Sequence, residues 1–386
     1  MTATPLLLSA GEASGDMYAA RLATALQERA DVELFGMGGP RMRAAGVETI
    51  VDYSEVSVLG ITEVLKQLPS LRRAMARLAG EAEKRRPPLA ILTDFPGFHL
   101  RLARKLTPLE IQNIYYICPQ FWAWRPWRAN LVRRRFALAL CIFPFEEKFY
   151  RDAGVKVEFI GHPLVGEVHA TITREEFCAQ HGLSADRPIV TVLPGSRRGE
   201  IGYHGPILGE ALRELRGKIP EVQTVVAVAP GVRREELEAH FPAGSAQLVA
   251  DATYDALNAA DVAIISSGTA TVEAALLEKP MVVIYKLSPM TARLAKPLVR
   301  TKFFSMVNLI ADRAVVPELI QDDFTAVKVA DEASSLLGAS NEGAAKVAEM
   351  RRGLAEVTRL LGPPGAVERA ADAIAAQLRL AQSNAK

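Results

Sequence analysis

The stretch 262–286 constrains the fold of this chain more than any other. It reads VAIISSGTATVEAALLEKPMVVIYK: an apolar run, a turn of small residues, a helical pattern and a second apolar run. This strand–turn–helix–strand order is the repeating unit of a parallel α/β sheet. We therefore expect an α/β fold.

The turn inside this stretch predicts an anion site. Ser267, Gly268, Thr269 and Ala270 carry little side-chain bulk, so backbone N–H groups at the start of the helix are free to meet a phosphate. Glu273 is placed in the first helical turn, where its carboxylate can accept hydrogen bonds from the hydroxyls of a sugar. The alternative is an ordinary turn whose Ser and Thr side chains only cap the helix. Spacing alone does not separate the two.

Composition bounds the class of protein. A chain of 386 residues that is 49% hydrophobic can fill two domain cores. Lys and Arg total 46 against 44 Asp and Glu, which argues against a dedicated nucleic-acid binder. The three cysteines form no CxxC pair and fit a reducing compartment. Because there is no signal peptide and no long uncharged apolar run, we expect a soluble or peripheral cytoplasmic protein.

Two series of short apolar runs divide the chain. They predict a Rossmann-like domain over 1–170 and a second one over 187–350, joined by a polar link and facing a central cleft. The candidate strands of the first series are 6–10, 32–35, 88–93, 114–117, 138–143 and 157–160. Those of the second series are 189–193, 224–229, 247–249, 262–265 and 281–285.

Two strand ends carry further candidate residues. Asp94 follows the run 88–93, and a carboxylate at the carboxyl end of a parallel strand is a candidate general base. The alternative is an Asp that caps a helix or makes a turn. Gly195, Ser196 and Arg197 follow the run 189–193. Small residues there admit a pyrophosphate and the arginine offers a bidentate fork, whereas a surface turn with incidental arginines is the other interpretation.

The N-terminal half also predicts an amphipathic and basic surface. A helix over 57–71, broken near Pro69, has an apolar face that is either core or lipid-facing. A loop over 119–127 carries large aromatics beside five arginines between Arg125 and Arg135. This combination suits an anionic membrane surface, and the alternative is a solvated basic face with partly buried aromatics. The residues assigned to this surface are Val58, Leu59, Ile61, Leu65, Trp122, Trp124 and Arg125.

Taken together, ten segments in order resemble the lipid-A-disaccharide synthase family, inverting glycosyltransferases of the GT-B fold. The resemblance covers about residues 6–321, and ten segments in register are far more specific than any one. They are AGEASGD (10–16), GMGGPRM (36–42), SVLGITEVLKQLP (57–69), TDFPGF (93–98), CPQFWAWR (118–125), FPFEEKFY (143–150), FIGHPL (159–164), LPGSRRGEI (193–201), SSGTATVEAAL (266–276) and NLIADRAVVPELIQ (308–321).

The resemblance implies a reaction. A 2,3-diacylglucosamine unit passes from its UDP derivative to 2,3-diacylglucosamine 1-phosphate, which gives a β(1→6)-linked disaccharide 1-phosphate and UDP. It also implies a cytoplasmic protein, peripheral on the inner face of the inner membrane, that uses no nucleic acid.

Residue roles follow from the same resemblance. Asp94 would take the proton of the acceptor 6-hydroxyl, and Glu12 with Ser14 would form an N-terminal active-site loop. Arg197 would face the diphosphate. Two more donor-site roles are implied, a ribose contact for Glu273 and a place near the donor for Asn308. Two departures from the family pattern are Gly97, where many relatives have a second Asp, and Arg198, where others have a smaller residue.

No metal ion or cofactor is expected. The chain has no DxD pair to hold Mg²⁺, since Asp322 and Asp323 are adjacent. Rival interpretations are another UDP-sugar enzyme, such as a 2-epimerase or an N-acetylglucosaminyl transferase, and a non-catalytic nucleotide-sugar sensor. The place of a final helix over about 366–382, on the N-terminal domain or elsewhere, stays open.

Overall fold

The chain folds into two compact units. The structure is a computed structural model that describes residues 3–56, 61–295, 301–338 and 341–384. Unit 1 combines Met1–Pro163 with Gly362–Lys386, and unit 2 is Leu164–Leu361. The chain therefore leaves unit 1 once and returns to it at its end.

Unit 1 is built on a parallel sheet. The described residues give it seven strands in the order β3-β2-β1-β4-β5-β6-β7. Central strands such as LAILT are buried at every position, as expected where helices cover both faces of a parallel sheet. The strands are β1 (Thr4–Ala10), β2 (Val32–Gly38), β3 (Glu48–Asp52), β4 (Leu89–Thr93), β5 (Gln112–Tyr116), β6 (Leu138–Cys141) and β7 (Val157–Phe159).

The helices of unit 1 connect these strands. They are α1 (Ala13–Gln27), α2 (Pro40–Ala44), α3 (Ile61–Arg85), α4 (Pro96–Leu106), α5 (Phe121–Trp124), α6 (Ala129–Arg135) and α7 (Pro144–Asp152). The predicted break near Pro69 is wrong, because α3 runs through this proline. Proline removes one helical hydrogen bond, and the buried Ala74, Leu78 and Ala82 anchor the continuation to the sheet. The predicted aromatic loop is also wrong in part, since α5 and a 3₁₀ turn at Pro126–Arg128 occupy it.

Unit 2 repeats the plan. Its described residues form a six-stranded sheet in the order β10-β9-β8-β11-β12-β13. The strands are β8 (Ile189–Leu193), β9 (Gln223–Val228), β10 (Gln247–Ala250), β11 (Val262–Ser266), β12 (Met281–Tyr285) and β13 (Glu318–Ile320). The helices are α8 (Arg174–His181), α9 (Arg198–Lys218), α10 (Arg234–Glu238), α11 (Thr253–Ala259), α12 (Thr269–Leu276), α13 (Pro289–Ala295), α14 (Met306–Ala311), α15 (Ala326–Leu337) and α16 (Asn341–Leu360).

The last helix belongs to unit 1. This helix, α17 (Ala366–Asn384), packs along α1. Arg369 donates from Nε to the carbonyl oxygen of Ile160 at 2.9 Å, and Arg29 pairs with Asp372 at 2.6 Å. Buried apolar residues such as Ile374 complete the contact.

Strand order reverses once in each sheet. In unit 1 the chain builds outward from β1 to β3 and then crosses to β4 on the other side of β1. In unit 2 it builds from β8 to β10 and then crosses to β11 on the other side of β8. Loops that leave the carboxyl ends at such a reversal diverge and open a crevice, which is where open α/β sheets bind ligands.

Strand β2 approaches β1 so closely that one position admits no side chain. A Cβ at Gly36 would lie 2.0 Å from the carbonyl oxygen of Leu8. The register of β2 against β3 shifts between Gly36 and Met37. The candidate strand 32–35 was predicted too short, because β2 continues to Gly38.

We predict that Gly36→Ala lowers the free energy of unfolding by about 3 kcal/mol or more, because the methyl group meets backbone and the strand must shift. Gly80→Ala is the matched control: Gly80 is exposed in α3 with nothing within 4 Å of its Cβ position, so Ala should stabilise by about 0.5–1 kcal/mol. Urea unfolding monitored by tryptophan fluorescence measures both. Equal stability of the two variants would contradict the close approach.

Candidate functional site

The predicted site residues gather at the two reversals. In unit 1, Ala10 of β1 is the register partner of Thr93 of β4, so the loops carrying Glu12 and Asp94 leave neighbouring strand ends. In unit 2, Leu193 of β8 is the partner of Ile265 of β11. The loop with Gly195, Ser196 and Arg197 and the loop with Ser267, Gly268, Thr269 and Ala270 therefore also leave neighbouring strand ends.

The backbone at Asp94 turns sharply. Asp94 and Phe95 both have φ of 46°, a left-handed conformation that costs free energy for residues other than glycine. The carbonyl oxygen of Asp94 accepts hydrogen bonds from the Tyr115 hydroxyl at 3.0 Å and from Nδ1 of His99 at 2.8 Å. These two bonds hold the backbone turn that carries the Asp94 side chain.

His99 ties this turn to the first strand. The side chain is fully buried, and burial lowers its pKa to about 4, so the imidazole is neutral at pH 7. Since Nδ1–H donates to the Asp94 carbonyl, Nε2 accepts from the Ser9 hydroxyl at 2.8 Å. Sequence reasoning missed His99; the available signal was a histidine in the helix that follows a candidate base.

The N-terminal loop packs directly on the Asp94 turn. A Cβ at Gly11 would lie 2.2 Å from the Phe95 ring, so only glycine permits this contact. The contact brings Glu12 close to Asp94. Burial raises the pKa of Asp94 to about 6, and the negative charge of Glu12 raises it further, while the N–H of Phe95 opposes the rise.

The other residues of this loop have separate places. Glu12 precedes α1 and is exposed, as is Ser14 in the first turn. Asp16 is buried and accepts hydrogen bonds from the backbone N–H groups of Gly39, Arg41 and Met42, at 2.6, 3.0 and 3.2 Å. It therefore holds the start of α2, a role that sequence reasoning also missed.

A second buried carboxyl group lies near the first. Glu146 at the start of α7 is fully buried, and burial raises its pKa to about 8. Its Oε1 accepts from the indole N–H of Trp122 at 3.1 Å, and its Oε2 accepts from the N–H of Phe143 at 3.3 Å. Trp122, predicted at a membrane surface, thus directs its polar group inward and anchors α5.

In unit 2, a glutamate of α9 accepts hydrogen bonds from the loop between β8 and α9. The Oε2 atom of Glu200 accepts from the N–H groups of Ser196 at 3.0 Å and Arg197 at 3.3 Å. Because these two N–H groups already donate to Glu200, they are not available to bind a phosphate. The Arg197 side chain is 68% exposed, with Nη1 at 3.4 Å from Oε1 of Glu200, and it remains the group able to reach an anion.

A buried histidine also holds this loop. His204 of α9 contacts the carbonyl oxygen of Pro194 through Nδ1 at 2.7 Å, and its Nε2 accepts from the N–H of Lys286 at 3.0 Å. Burial lowers its pKa, and accepting at Nε2 leaves the proton on Nδ1. The neutral ring joins the ends of β8 and β12.

The loop after β11 keeps its first amides free. In the part of the chain that the structure covers, the N–H groups of Gly268, Thr269 and Ala270 have no protein acceptor. Ser267 is fixed by its N–H to Ile284 and by its hydroxyl to the Phe304 carbonyl, both at 2.9 Å. Free amides at the start of α12 are a ready anion site.

Glu273 lies one turn later than predicted. The helix begins at Thr269, so Glu273 is in its second turn. Its Oε1 accepts from the Tyr254 hydroxyl at 3.2 Å, and burial raises its pKa while that bond opposes the rise. A half-buried carboxyl group held in this way suits the recognition of ligand hydroxyls.

The side-chain amide of Asn308 is engaged within the protein. Its Nδ2 donates to the Val316 carbonyl at 2.9 Å and to Glu318 at 2.8 Å. Its Oδ1 accepts from the N–H groups of Val315 and Val316 at 2.7 and 2.9 Å. All four hydrogen-bonding positions of the amide are used, so Asn308 holds the segment from Val315 to Glu318. Its expected place near the donor stays a prediction. Glu318 also accepts from Phe304 and Ser305, which fixes the segment that holds Ser267.

The structure describes only some of the residues assigned to the predicted membrane surface. Val58 and Leu59 lie outside the described residues, and the side chains of Ile61 and Leu65 are not described either. Trp124 is 38% exposed and Trp127 60%. The described residues include no helix long and apolar enough to cross a membrane. Nor does the described part of the chain contain a His, Cys, Asp or Glu group suited to a metal ion.

Comparison with known proteins decides the family. The model of the lipid-A-disaccharide synthetase family matches residues 6–361. The chain belongs to this family. It is 46% identical to the lipid-A-disaccharide synthase of Solibacter usitatus, over 96% of both chains, and 43% identical to that of Myxococcus xanthus, over 97% of this chain and 98% of the other.

Solved structures agree on the fold. UDP-GlcNAc 2-epimerase from Neisseria meningitidis, bound to UDP-GlcNAc, superposes with a TM-score of 0.62 at 11% identity, over 97% of this chain and 99% of that one. At this identity the likeness concerns the fold alone. The predicted GT-B fold is confirmed, and so is the predicted activity, because membership of this family makes the chain a glycosyltransferase of lipid A biosynthesis.

We predict that kcat/KM falls as pH drops through about 6, because a base must be ionised and the pKa of Asp94 is about 6. Glu12→Gln removes the neighbouring negative charge and should move this acidic limb of the pH–rate profile to lower pH. Glu28→Gln removes an equal charge from the far end of α1 and should leave the limb in place. A pH–rate profile for each variant decides; loss of all activity in Glu12→Gln would instead identify Glu12 as the base.

We predict that Glu146 makes stability depend on pH. Its pKa is raised from 4.5 to about 8 in the folded protein, so its contribution is complete below about pH 4.5 and is lost as pH rises to about 8. Glu146→Gln should remove this loss, which amounts to at most about 1.4 kcal/mol per pH unit. Denaturant unfolding between pH 5.5 and 8 measures it. Glu147→Gln, on the same helix, should keep the wild-type slope; an unchanged slope in Glu146→Gln would contradict the raised pKa.

Proposed function

We propose that this chain condenses UDP-2,3-diacylglucosamine with 2,3-diacylglucosamine 1-phosphate, releases UDP and forms the β(1→6)-linked disaccharide 1-phosphate. The observation that carries the assignment of roles is the position of the candidate residues at both strand-order reversals. Unit 1 activates the acceptor and unit 2 binds the donor.

Asp94 is the proposed general base. Its carboxyl group has a pKa near 6, so it is mostly ionised at pH 7 yet more basic than an ordinary aspartate. The left-handed turn that carries it is held by His99 and Tyr115. Glu12 tunes this pKa, and Ser14 lies in the same loop. Attack by the deprotonated 6-hydroxyl on the anomeric carbon, opposite the leaving UDP, inverts that centre.

Unit 2 supplies the groups for the leaving diphosphate. The free amides of Gly268, Thr269 and Ala270 and the start of α12 offset negative charge that grows on UDP. Arg197 adds a guanidinium from the neighbouring loop. Glu273 holds the ribose hydroxyls, and Asn308 with Glu318 keeps the Ser267 segment in place. In this proposal the protein groups suffice for leaving-group stabilisation without a metal ion.

An apolar and basic surface of unit 1 is the proposed membrane contact. Its supporting feature is the exposed pair Trp124 and Trp127 beside Arg125. Aromatic rings settle at a membrane interface while arginines meet anionic head groups. We place the protein on the inner face of the inner membrane, where the acyl chains of both substrates would reside.

Two alternative functions, a UDP-sugar 2-epimerase and a non-catalytic nucleotide-sugar sensor, are less well supported. The 2-epimerase shares the fold at 11% identity, whereas the synthases share 43–46% identity over nearly the whole chain. A non-catalytic nucleotide-sugar sensor would keep Arg197 and Glu273, but it would have no need of the base.

We predict that Asp94→Asn lowers kcat by about 10²–10⁴-fold, the usual contribution of a general base, while the dissociation constant for UDP stays near the wild-type value. Arg197→Ala is the reciprocal variant and should weaken UDP binding. Product mass gives turnover and calorimetry gives UDP affinity. Normal turnover in Asp94→Asn would exclude Asp94 as the base and leave Glu12 as the next candidate.

We predict salt-sensitive flotation of the protein with phosphatidylglycerol vesicles. Trp124→Ser should reduce the floated fraction, because an aromatic ring leaves the interface. Tyr203→Ser removes an exposed aromatic from unit 2 (43% exposed) and should have no effect. Absence of flotation at low salt would count against the membrane contact.

A further inference from the structure

Three arginines of unit 1 are close enough to interact electrostatically, and none has an acidic partner among the residues that the structure describes. Arg101 is on α4, Arg125 ends α5 and Arg128 closes the 3₁₀ turn. Burial lowers the pKa of Arg128, and the charges of Arg125 and Arg101 lower it further. Within the described ranges none of the three pairs with a carboxylate. We call these residues the arginine cluster.

Two arginines of α3, Arg77 and Arg85, differ from this cluster. Arg77 pairs with Glu55 at 3.1 Å, and Arg85 pairs with Glu48 at 2.6 Å and with Glu81 at 3.0 Å. Those arginines are structural surface charges. In the arginine cluster, like charges are gathered and none of the residues that the structure describes supplies a counter-charge, an arrangement that an anionic ligand would stabilise.

Aromatic rings hold two members in place. The Arg125 guanidinium lies 4.5 Å from the centroid of the Trp124 ring. The Arg128 guanidinium lies 5.6–5.8 Å from the rings of Trp127, Phe121 and Trp124. Cation–π attraction to these rings favours the observed positions of the two guanidiniums, and it leaves their N–H groups able to donate to a ligand.

One donor of the cluster already lacks a partner. The Nε atom of Arg128 is buried and makes no hydrogen bond to any residue that the structure describes. A buried donor left unpaired costs free energy, which an anion at this point would recover.

The cluster lies at the same edge of the sheet as the candidate base. Helix α4 begins directly after the Asp94 turn, and α5 follows β5, the neighbour of β4. Tyr115 connects the two places: its hydroxyl donates to the Asp94 carbonyl, and the charge of Arg128 opposes the rise in the pKa of its phenol.

We propose that Arg101, Arg125 and Arg128 bind the phosphomonoester of the acceptor sugar and so select a phosphorylated acceptor. A terminal phosphate offers three acceptor oxygens and up to two negative charges, which match several guanidinium forks. The inference rests on the proposed function, because it assigns the acceptor to unit 1. Phospholipid head groups share the phosphate chemistry, so the experiment separates the two sources.

The experiment compares 2,3-diacylglucosamine 1-phosphate with 2,3-diacylglucosamine at saturating donor. The measured quantity is the ratio of the two kcat/KM values. We expect each of Arg101→Gln, Arg125→Gln and Arg128→Gln to lower this ratio, by about tenfold or more for the loss of a charge-assisted contact. The change should appear chiefly in the KM for the phosphorylated acceptor.

The matched control is Arg134→Gln on α6. Arg134 is exposed, and its substitution removes the same charge from the same region, so the ratio should stay at the wild-type value. An equal fall in Arg134→Gln would show a general field effect and overturn the proposal. Should Arg128→Gln fail to fold, Arg101→Gln and Arg125→Gln decide the question.

A vesicle-binding experiment distinguishes the acceptor phosphate from the phosphates of lipid head groups. An unchanged acceptor ratio in all three variants, together with weaker binding to phosphatidylglycerol vesicles, would assign the cluster to head groups and overturn the proposal. If wild-type protein forms no disaccharide with either acceptor, the proposed function itself fails. If it forms disaccharide from both acceptors equally well, only the phosphate site fails.

Discussion

The hydrogen bond from the imidazole of His99 to the carbonyl oxygen of Asp94 is the interaction on which the site of unit 1 depends. It holds a left-handed turn that the backbone would otherwise avoid, and its other ring nitrogen ties that turn to Ser9 at the end of β1. Burial keeps the ring neutral, so both bonds persist at pH 7. The turn that carries the candidate base therefore depends on a group that takes no part in the proposed chemistry.

Unit 2 uses the same device with different residues. His204 is also buried, also follows the strand from the next helix, and also contacts a strand-end carbonyl through Nδ1, here that of Pro194. Its second nitrogen holds the end of β12. In each unit a neutral histidine thus links the ends of two strands at the edge of the sheet that carries the candidate residues, and it fixes the backbone there.

Electrostatics distinguishes the two units. In unit 1, acidic groups lie near one another: Glu12 raises the pKa of Asp94, and Asp94 contributes to the raised pKa of Glu146. In unit 2, Glu200 accepts from the backbone N–H groups of Ser196 and Arg197, whereas the first N–H groups of α12 have no acceptor among the described residues. A proton acceptor needs a raised pKa and a leaving diphosphate needs free donors, so each unit has the electrostatics that its proposed role requires.

The sequence by itself determined the fold class, the strand ends that carry candidate residues, and the family. Apolar runs and small-residue turns are local signals of the fold class. Ten family segments in the same order identify the family. Only the tertiary structure decided which strands are neighbours, and hence that Glu12 lies beside Asp94 and that the Arg197 and Gly268 loops adjoin. It also revealed that the side-chain amide of Asn308 is fully hydrogen-bonded within the protein and that the N–H of Ser196 donates to Glu200. The indole N–H of Trp122 donates to the buried Glu146. Parallel pairing and buried hydrogen bonds join residues far apart in the chain, and no local periodicity records them.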